Sequence, residues 1–108
     1  MRRRKYNNKP TVIDGYRFDS KLEASRYGEL RLLEKAGEIV ELEVHPRFPL
    51  FVGPDHICTY IADFRYYDCS RGTFRIEDTK GVRTALFLLK KKLMKAVLKL
   101  EVEEVRAR

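Results

Sequence analysis

The residues most suited to chemistry are acids and a lysine at the ends of two strand-like runs. Asp63 lies in the run 60–64, and Asp78 and Lys80 end the run 74–81. Side chains alternate along a strand, so Asp78 and Lys80 share one face. Two convergent carboxylates with a lysine beside them can hold a hard divalent cation and position a water molecule. The pattern therefore indicates a site for hydrolysing phosphodiesters.

Asp63 reaches Asp78 only if the two runs pair with each other. β-Branched and aromatic residues dominate both runs, and Ser70-Arg71-Gly72 breaks the chain between them, so we expect two arms of one hairpin. Alternation places Glu77 on the face opposite Lys80, so the second acid of the site is assigned to Asp78. A surface ion pair between Asp78 and Lys80 is the simpler interpretation of that triplet, and only the additional acids favour a site.

Glu23 is the third acid of the predicted site, and it has two interpretations. It lies three residues after Ser20, so its carboxylate can cap the backbone N–H of Ser20 at the start of a helix over 21–36. It also lies at the edge of the apolar stripe that should face the sheet, where a carboxylate is costly without a partner. A cation held by Asp63 and Asp78 would be that partner, so the whole pattern favours the site over capping.

The other elements are expected to position these side chains. In chain order the sequence first predicts a hairpin around Asp14-Gly15, a helix over 21–36 and an irregular or edge strand through Pro46 and Pro49. A turn at 53–55, a central strand over 56–67 and the strand over 74–81 are expected to follow. A helix over 85–98 and a last strand over 100–105 complete the prediction. Asp-Gly pairs favour tight hairpins, prolines favour strand edges, and a run that is apolar on both faces is typical of a central strand. The second helix is expected to bury the stripe containing Leu86, Leu89 and Leu93.

The composition indicates a single globular domain that binds a polyanion. The 108 residues allow one core, and the net charge of +7 favours a negatively charged partner. We interpret residues 1–10 as a flexible basic arm and residues 11–108 as the domain. The basic residues of the arm include Arg2, Arg3, Arg4 and Lys5. Such arms often lie along phosphates, and a solvated chain end is the alternative.

The cysteines, histidines and apolar runs bear on the cellular compartment, on membrane association and on zinc binding. Cys58 and Cys69, in a chain without a secretory signal, indicate reduced thiols in a cytoplasmic protein. No apolar run approaches the roughly 18 residues that a membrane span needs, so no membrane partner is expected. His45 and His56 have no second histidine or cysteine at ligand spacing, and we therefore expect no zinc site.

The motifs together resemble those of the PD-(D/E)XK nuclease superfamily. The segments that carry the resemblance are 18–24 (FDSKLEA), 60–64 (YIADF) and 77–81 (EDTKG), and it extends from about residue 6 to about residue 105. More narrowly, these segments resemble small phage and prophage endonucleases of the Holliday junction resolvase type. One departure is Ala62, where the superfamily motif has proline. The resemblance implies an α/β fold with a restriction-endonuclease-like core, in which two main helices flank a mixed sheet in the order αβββαβ after an N-terminal hairpin.

The resemblance also implies a role for each motif residue. Asp63 and Asp78 would ligate Mg²⁺ or Mn²⁺, with the backbone carbonyl of Thr79 as a further ligand. Lys80 would orient or activate the attacking water and offset charge on the phosphate. Glu23 corresponds to the helix acid of resolvase-like members, which helps to hold the metal or its waters.

The expected partner is DNA, cut by hydrolysis at four-way junctions or other branches. Two symmetric cuts would require a homodimer, and a phage-encoded enzyme would act in the cytoplasm of its host cell. Besides the arm, the candidates for backbone contacts are Arg17, Arg83 and Lys91. Two alternatives stay open, namely a nicking or restriction-like endonuclease acting on duplex DNA and a basic DNA-binding module without catalysis.

Overall fold

The computed structural model of the protein describes residues 10–80 and 82–106. The predicted basic arm, with Arg2, Arg3, Arg4 and Lys5, therefore lies outside the described residues apart from Pro10. The elements are β1 (Thr11–Ile13), β2 (Tyr16–Phe18), α1 (Lys21–Lys35), β3 (Ile39–Val44), β4 (Arg47–Val52), β5 (Asp55–Ile61), β6 (Phe64–Asp68), β7 (Thr73–Thr79), α2 (Ala85–Leu98) and β8 (Val102–Val105).

The fold is a mixed α/β arrangement with two helices. Its main sheet has four strands in the order β3-β6-β7-β8. Strand β6 runs antiparallel to both of its neighbours, β3 and β7, and β8 runs parallel to β7. Strands β4 and β5 form a separate antiparallel pair, and β1 and β2 form the predicted N-terminal hairpin. The chain therefore passes through a helix, three antiparallel strands of the main sheet, a second helix and a parallel strand.

Both predicted helices are confirmed, and capping side chains explain where they begin. The Ser20 hydroxyl accepts a hydrogen bond from the Glu23 N–H at the start of α1, and Thr84 accepts one from the Phe87 N–H at the start of α2. Lys99 ends α2 in the left-handed conformation, with φ 61°. The Leu100 N–H donates back to the Met94 carbonyl, so the last strand begins at Val102, two residues later than predicted.

The single central strand predicted over 56–67 is wrong, because the chain changes direction at Ala62 and Asp63. Strand β5 pairs with β4, whereas β6 pairs with β3 and β7. The facing chain bends at the same level, where His45 has a φ of 56° and precedes Pro46. Two hydrogen bonds carry the pairing across the bend, from the His45 N–H to the Asp63 carbonyl at 2.9 Å and from the Ala62 N–H to the Pro46 carbonyl at 3.1 Å.

Two apolar clusters cover the two faces of the main sheet. The cluster on the α1 side contains Phe18, Tyr27, Leu30, Ile39, Phe64 and Tyr66. The cluster on the α2 side contains Leu50, Tyr60, Ala62, Ile76, Phe87, Met94 and Val102. The predicted stripe of α2 is wrong in part, since Leu86 and Leu89 are exposed while Phe87 and Met94 are buried. Neither helix in the described part of the chain is long and apolar enough to cross a membrane.

Candidate metal centre

Asp63 lies at the bend between β5 and β6, where it is fixed to the end of β7. Its Oδ2 accepts two hydrogen bonds from Thr79, one from the N–H at 2.7 Å and one from Oγ1 at 2.6 Å. The hairpin predicted from 60–64 and 74–81 is wrong in part, because Tyr60 and Ile61 pair with β4 while Phe64 begins the strand that pairs with β7. The Asp63 N–H still donates to the Glu77 carbonyl at 3.1 Å, so Asp63 lies beside the end of β7 as predicted. Thr79 thus orients the Asp63 carboxylate, while the role predicted for its own carbonyl stays a prediction.

Glu23 combines the two interpretations that the sequence allowed. Its Oε1 accepts a hydrogen bond from the Asp19 N–H at 3.2 Å, so it caps the residue before Ser20 and not Ser20 itself. Its Oε2 lies 2.8 Å from Nε2 of His45. The side chain is buried, because the first turn of α1 lies against the bend of the strands. One carboxylate oxygen therefore serves the helix and the other faces the candidate site.

His45 is a candidate site residue that the sequence analysis missed. One ligand atom each from Glu23, His45 and Asp63 lie within 4.8 Å of one another. Oxygen ligands lie about 2.0 to 2.6 Å from Mg²⁺, Mn²⁺ or Ca²⁺, so donors of one ion are at most roughly 5 Å apart. The three donors therefore fit around one divalent cation. The sequence signal was His45-Pro46 facing Ala62-Asp63 across a hairpin, and it depends on the register of that hairpin.

Asp78 and Lys80 are not among these three donors and lie at the end of β7, on the side turned to α2. The Asp78 carboxylate is 3% exposed, and its Oδ2 accepts a hydrogen bond from the Tyr60 hydroxyl. Its Oδ1 lies 3.0 Å from Nζ of Lys80, which in turn sits 4.3 Å from the centre of the Phe87 ring. A cleft of about 270 Å³ opens here and is lined by Asp78, Lys80 and Lys90, among others. The lysine is therefore held in a defined place beside the carboxylate.

Burial and a neighbouring acid raise the pKa values of Asp63 and Asp78. Burial is the main reason that the pKa of Asp63 lies above its usual range, and the nearby Glu23 carboxylate adds to it although Thr79 opposes it. Burial likewise raises the pKa of Asp78 to about 6, the charge of Asp63 adds to this, and hydrogen bonds from Tyr60 and Lys80 oppose it. Buried carboxylates with raised pKa values lack sufficient positive charge nearby, and a bound cation would supply it.

The predicted DNA-contacting residues within the described part fall into two groups. Arg83 and Lys91 converge on Glu104, with Nε of Arg83 and Nζ of Lys91 each 2.8 Å from a carboxylate oxygen. Glu104 is the register partner of Asp78 on the neighbouring strand, so these two bases lie next to the site. Arg17 is separate from them and forms an exposed ion pair with Asp19 at 3.6 Å.

The comparisons with known proteins give a family and no further assignment. Residues 3–106 match the family described as Protein of unknown function (DUF1064), and the chain belongs to this family. No curated protein and no solved structure matches the chain.

Proposed function

We propose that the protein is a metal-dependent DNA endonuclease of the PD-(D/E)XK superfamily that cuts branched DNA, as a Holliday junction resolvase does. The observation that carries this proposal is that three segments distant in sequence bring Glu23, Asp63 and the pair of Asp78 and Lys80 next to one another. Glu23 and Asp63 bring their carboxylates together at the bend, Asp63 lies close enough to Asp78 for its charge to raise the pKa of Asp78, and Lys80 pairs with Asp78. The order of one helix, three antiparallel strands, a second helix and a parallel strand supports a restriction-endonuclease-like core.

The donor set fits a divalent cation such as Mg²⁺ or Mn²⁺. Asp63 and Glu23 supply carboxylate oxygens, and Asp78 lies close enough for the charge of Asp63 to raise its pKa. When bound, the cation would supply the positive charge that polarises a phosphate oxygen and stabilises negative charge developing in the transition state. The buried carboxylates alone repel a phosphate, so we expect no cleavage in the absence of metal.

Lys80 is the residue proposed to act on water and phosphate. Contacts with Asp78 and with the Phe87 ring hold its ammonium group at the partly open cleft. An ammonium there can orient the attacking water and offset charge on a non-bridging phosphate oxygen. Asp78 thus has two tasks, because it contributes to the cation site and fixes the position of Lys80. Hydrolysis would leave a 5′-phosphate and a 3′-hydroxyl.

DNA is the proposed polyanion because basic residues lie beside the site. Arg83 and Lys91 lie beside Asp78 through their contacts with Glu104, and the net charge is +7. Contacts of this kind bind the phosphate backbone and read DNA shape more than sequence. The preference for a junction, and the homodimer that paired cuts require, follow from the resemblance to junction resolvases.

The test is cleavage of a labelled four-way junction and of a linear duplex of matching sequence. Each substrate is incubated with Mg²⁺, Mn²⁺ or EDTA and with wild-type protein, the Asp78→Asn variant or the matched control Glu101→Gln. Glu101 is an exposed acid that pairs with Lys95 on the surface. We expect paired cuts in the junction alone, dependent on metal, reduced at least ~100-fold by Asp78→Asn and unchanged by Glu101→Gln.

Other outcomes separate the alternatives. Equal cutting of the linear duplex would keep the endonuclease and replace the junction preference with a nicking or restriction-like activity. Binding of the junction without cleavage in either metal would leave a DNA-binding module and overturn the nuclease. Circular dichroism of each variant shows whether a loss of cleavage is a loss of folding.

A further inference from the structure

We propose that His45 is a nitrogen ligand of the metal and that it makes the site select Mn²⁺ over Mg²⁺. This inference rests on the metal site of the proposed function but not on nuclease activity. Of the two cations proposed above, Mg²⁺ and Mn²⁺, it selects Mn²⁺ because Mn²⁺ accepts an imidazole ligand.

The position of His45 is fixed from several directions. Its backbone N–H donates to the Asp63 carbonyl at 2.9 Å, so the two residues face each other across the bend. The imidazole ring packs at a tilt against Phe18, with ring centres 5.9 Å apart. Its Nε2 points at Oε2 of Glu23 at 2.8 Å. The imidazole is therefore aimed at the carboxylates by the fold, and 38% of the side chain remains open to solvent and to an entering ion.

The spacing of these atoms suits neighbouring ligands of one ion. Donors that sit side by side around an ion at about 2.2 Å are roughly 3 Å apart. The distance between His45 Nε2 and Glu23 Oε2 is close to that value, and a carboxylate oxygen of Asp63 lies within 4.8 Å of one ligand atom of each of these two residues. An ion can therefore bind with small movements of three side chains that the backbone already brings together.

The chemistry of the donors decides which ion is preferred. Mg²⁺ takes oxygen ligands in a strict octahedron and keeps much of its water. Imidazole suits divalent transition metals, and Mn²⁺ accepts both imidazole and carboxylate. A site of one imidazole and two carboxylates therefore binds Mn²⁺ more tightly than Mg²⁺. The competing interpretation is that His45 serves only as a charge partner of Glu23, and this gives no direct bond to a metal.

The first experiment looks for the metal–nitrogen bond itself. The chain has two histidines, so pulsed electron paramagnetic resonance of bound Mn²⁺ can assign any imidazole ¹⁴N coupling. We expect the coupling in wild-type protein and in His56→Asn, and its loss in His45→Asn. His56 is exposed and hydrogen-bonded to Thr59, so its replacement is the matched control. Coupling that persists in His45→Asn, or that is absent from the wild-type protein, overturns the proposal.

The second experiment measures selectivity by titration calorimetry without DNA. Residue 45 has a positive φ, which both asparagine and glycine tolerate. The variants His45→Asn and His45→Gly should therefore fold without the imidazole. We expect His45→Asn to weaken Mn²⁺ binding at least tenfold and Mg²⁺ binding less than threefold. Equal losses for both ions would mean a charge partner only and would overturn the proposal. Because no DNA is present, a failure of the nuclease assignment leaves this result unaffected.

Discussion

Two consecutive acids of β7, Glu77 and Asp78, have opposite surroundings. Both are buried, with 1% and 3% of their surfaces exposed, and they point to opposite faces of the sheet. Glu77 faces α1, where Arg26 donates to both of its carboxylate oxygens at 2.7 Å and the Tyr66 hydroxyl donates a further hydrogen bond. Asp78 faces α2 and has Lys80 at 3.0 Å and the Tyr60 hydroxyl as partners.

The difference lies in how completely each negative charge is compensated. The bidentate pair with Arg26 matches the Glu77 carboxylate in charge and in geometry, and the hydrogen bond to Glu77 raises the pKa of Arg26 further above its usual value. Asp78 instead shares its surroundings with Asp63, and burial raises its pKa to about 6. A buried acid with a complete set of partners serves the fold, whereas one that faces another acid is better explained by a ligand of positive charge.

The largest expected effect concerns the Glu77 side of the comparison. Replacing Arg26 by methionine leaves a buried carboxylate without its cation, which costs about 3 to 5 kcal/mol of unfolding free energy. The matched control is Arg31→Met, because Arg31 of the same helix pairs with Glu34 and Asp14 at the surface, and exposed pairs contribute little to stability. Urea denaturation measures both. Equal losses in the two variants would show that the Glu77 pair is not structural.

The second prediction concerns the pH dependence of stability on the Asp78 side. The pKa of Asp78 is raised from 3.8 to about 6, so the folded protein holds this proton more tightly than the unfolded chain does. The free energy of unfolding should therefore fall as pH rises from about 4 through about 6, by about 1 to 2 kcal/mol between pH 5 and pH 7.5 from this group. Urea denaturation in EDTA measures it in wild-type protein and in Asp78→Asn, which should lack this contribution. A variant with the wild-type pH dependence would show that Asp78 is not under-compensated.

The smallest expected effect concerns Glu104, the register partner of Asp78 on β8. Contacts with Lys91 and Arg83 lower the pKa of Glu104, so this acid resembles Glu77 more than Asp78. Glu104→Gln releases charge from those two bases, and we expect DNA binding to tighten about two- to fivefold at low salt. Fluorescence anisotropy of a labelled junction measures this. Weaker binding would mean that Glu104 holds the bases in their productive position.

Local signals predicted the helices and the N-terminal hairpin well. Capping residues mark where α1 and α2 begin, and Asp14-Gly15 marks the N-terminal hairpin, so each element follows from a few neighbouring residues. The buried stripe of α2 was harder to predict, because apolar residues cover more than one side of that helix. Which side is buried depends on the sheet against which the helix packs, and Leu86 and Leu89 are left exposed.

The bend and His45 depend on register and were not predictable from local patterns. A hairpin closed directly at residues 53–54 would pair His45 with Ala62. The register instead shifts by one between Leu50 and Phe51, where Ile57 is the extra residue on the opposite strand. A shift of one residue reverses which side chains share a face, so this bulge determines that His45 meets Asp63. Pro46 indicated an irregularity in its own strand but not that the partner strand bends with it.

The bend also sets a rule for how this protein can change length. The turn fixes which residues of β4 and β5 lie opposite each other, because each pair is the same number of residues from the turn apart from the bulge. A residue added to each strand therefore keeps His45 opposite Asp63. A residue added to one strand alone would give His45 a different neighbour. In evolution or in engineering, the β4 and β5 pair can therefore grow or shrink by matched steps. A residue added to β4 alone must be compensated by loss of the bulge at Ile57, and one added to β5 alone by a second bulge.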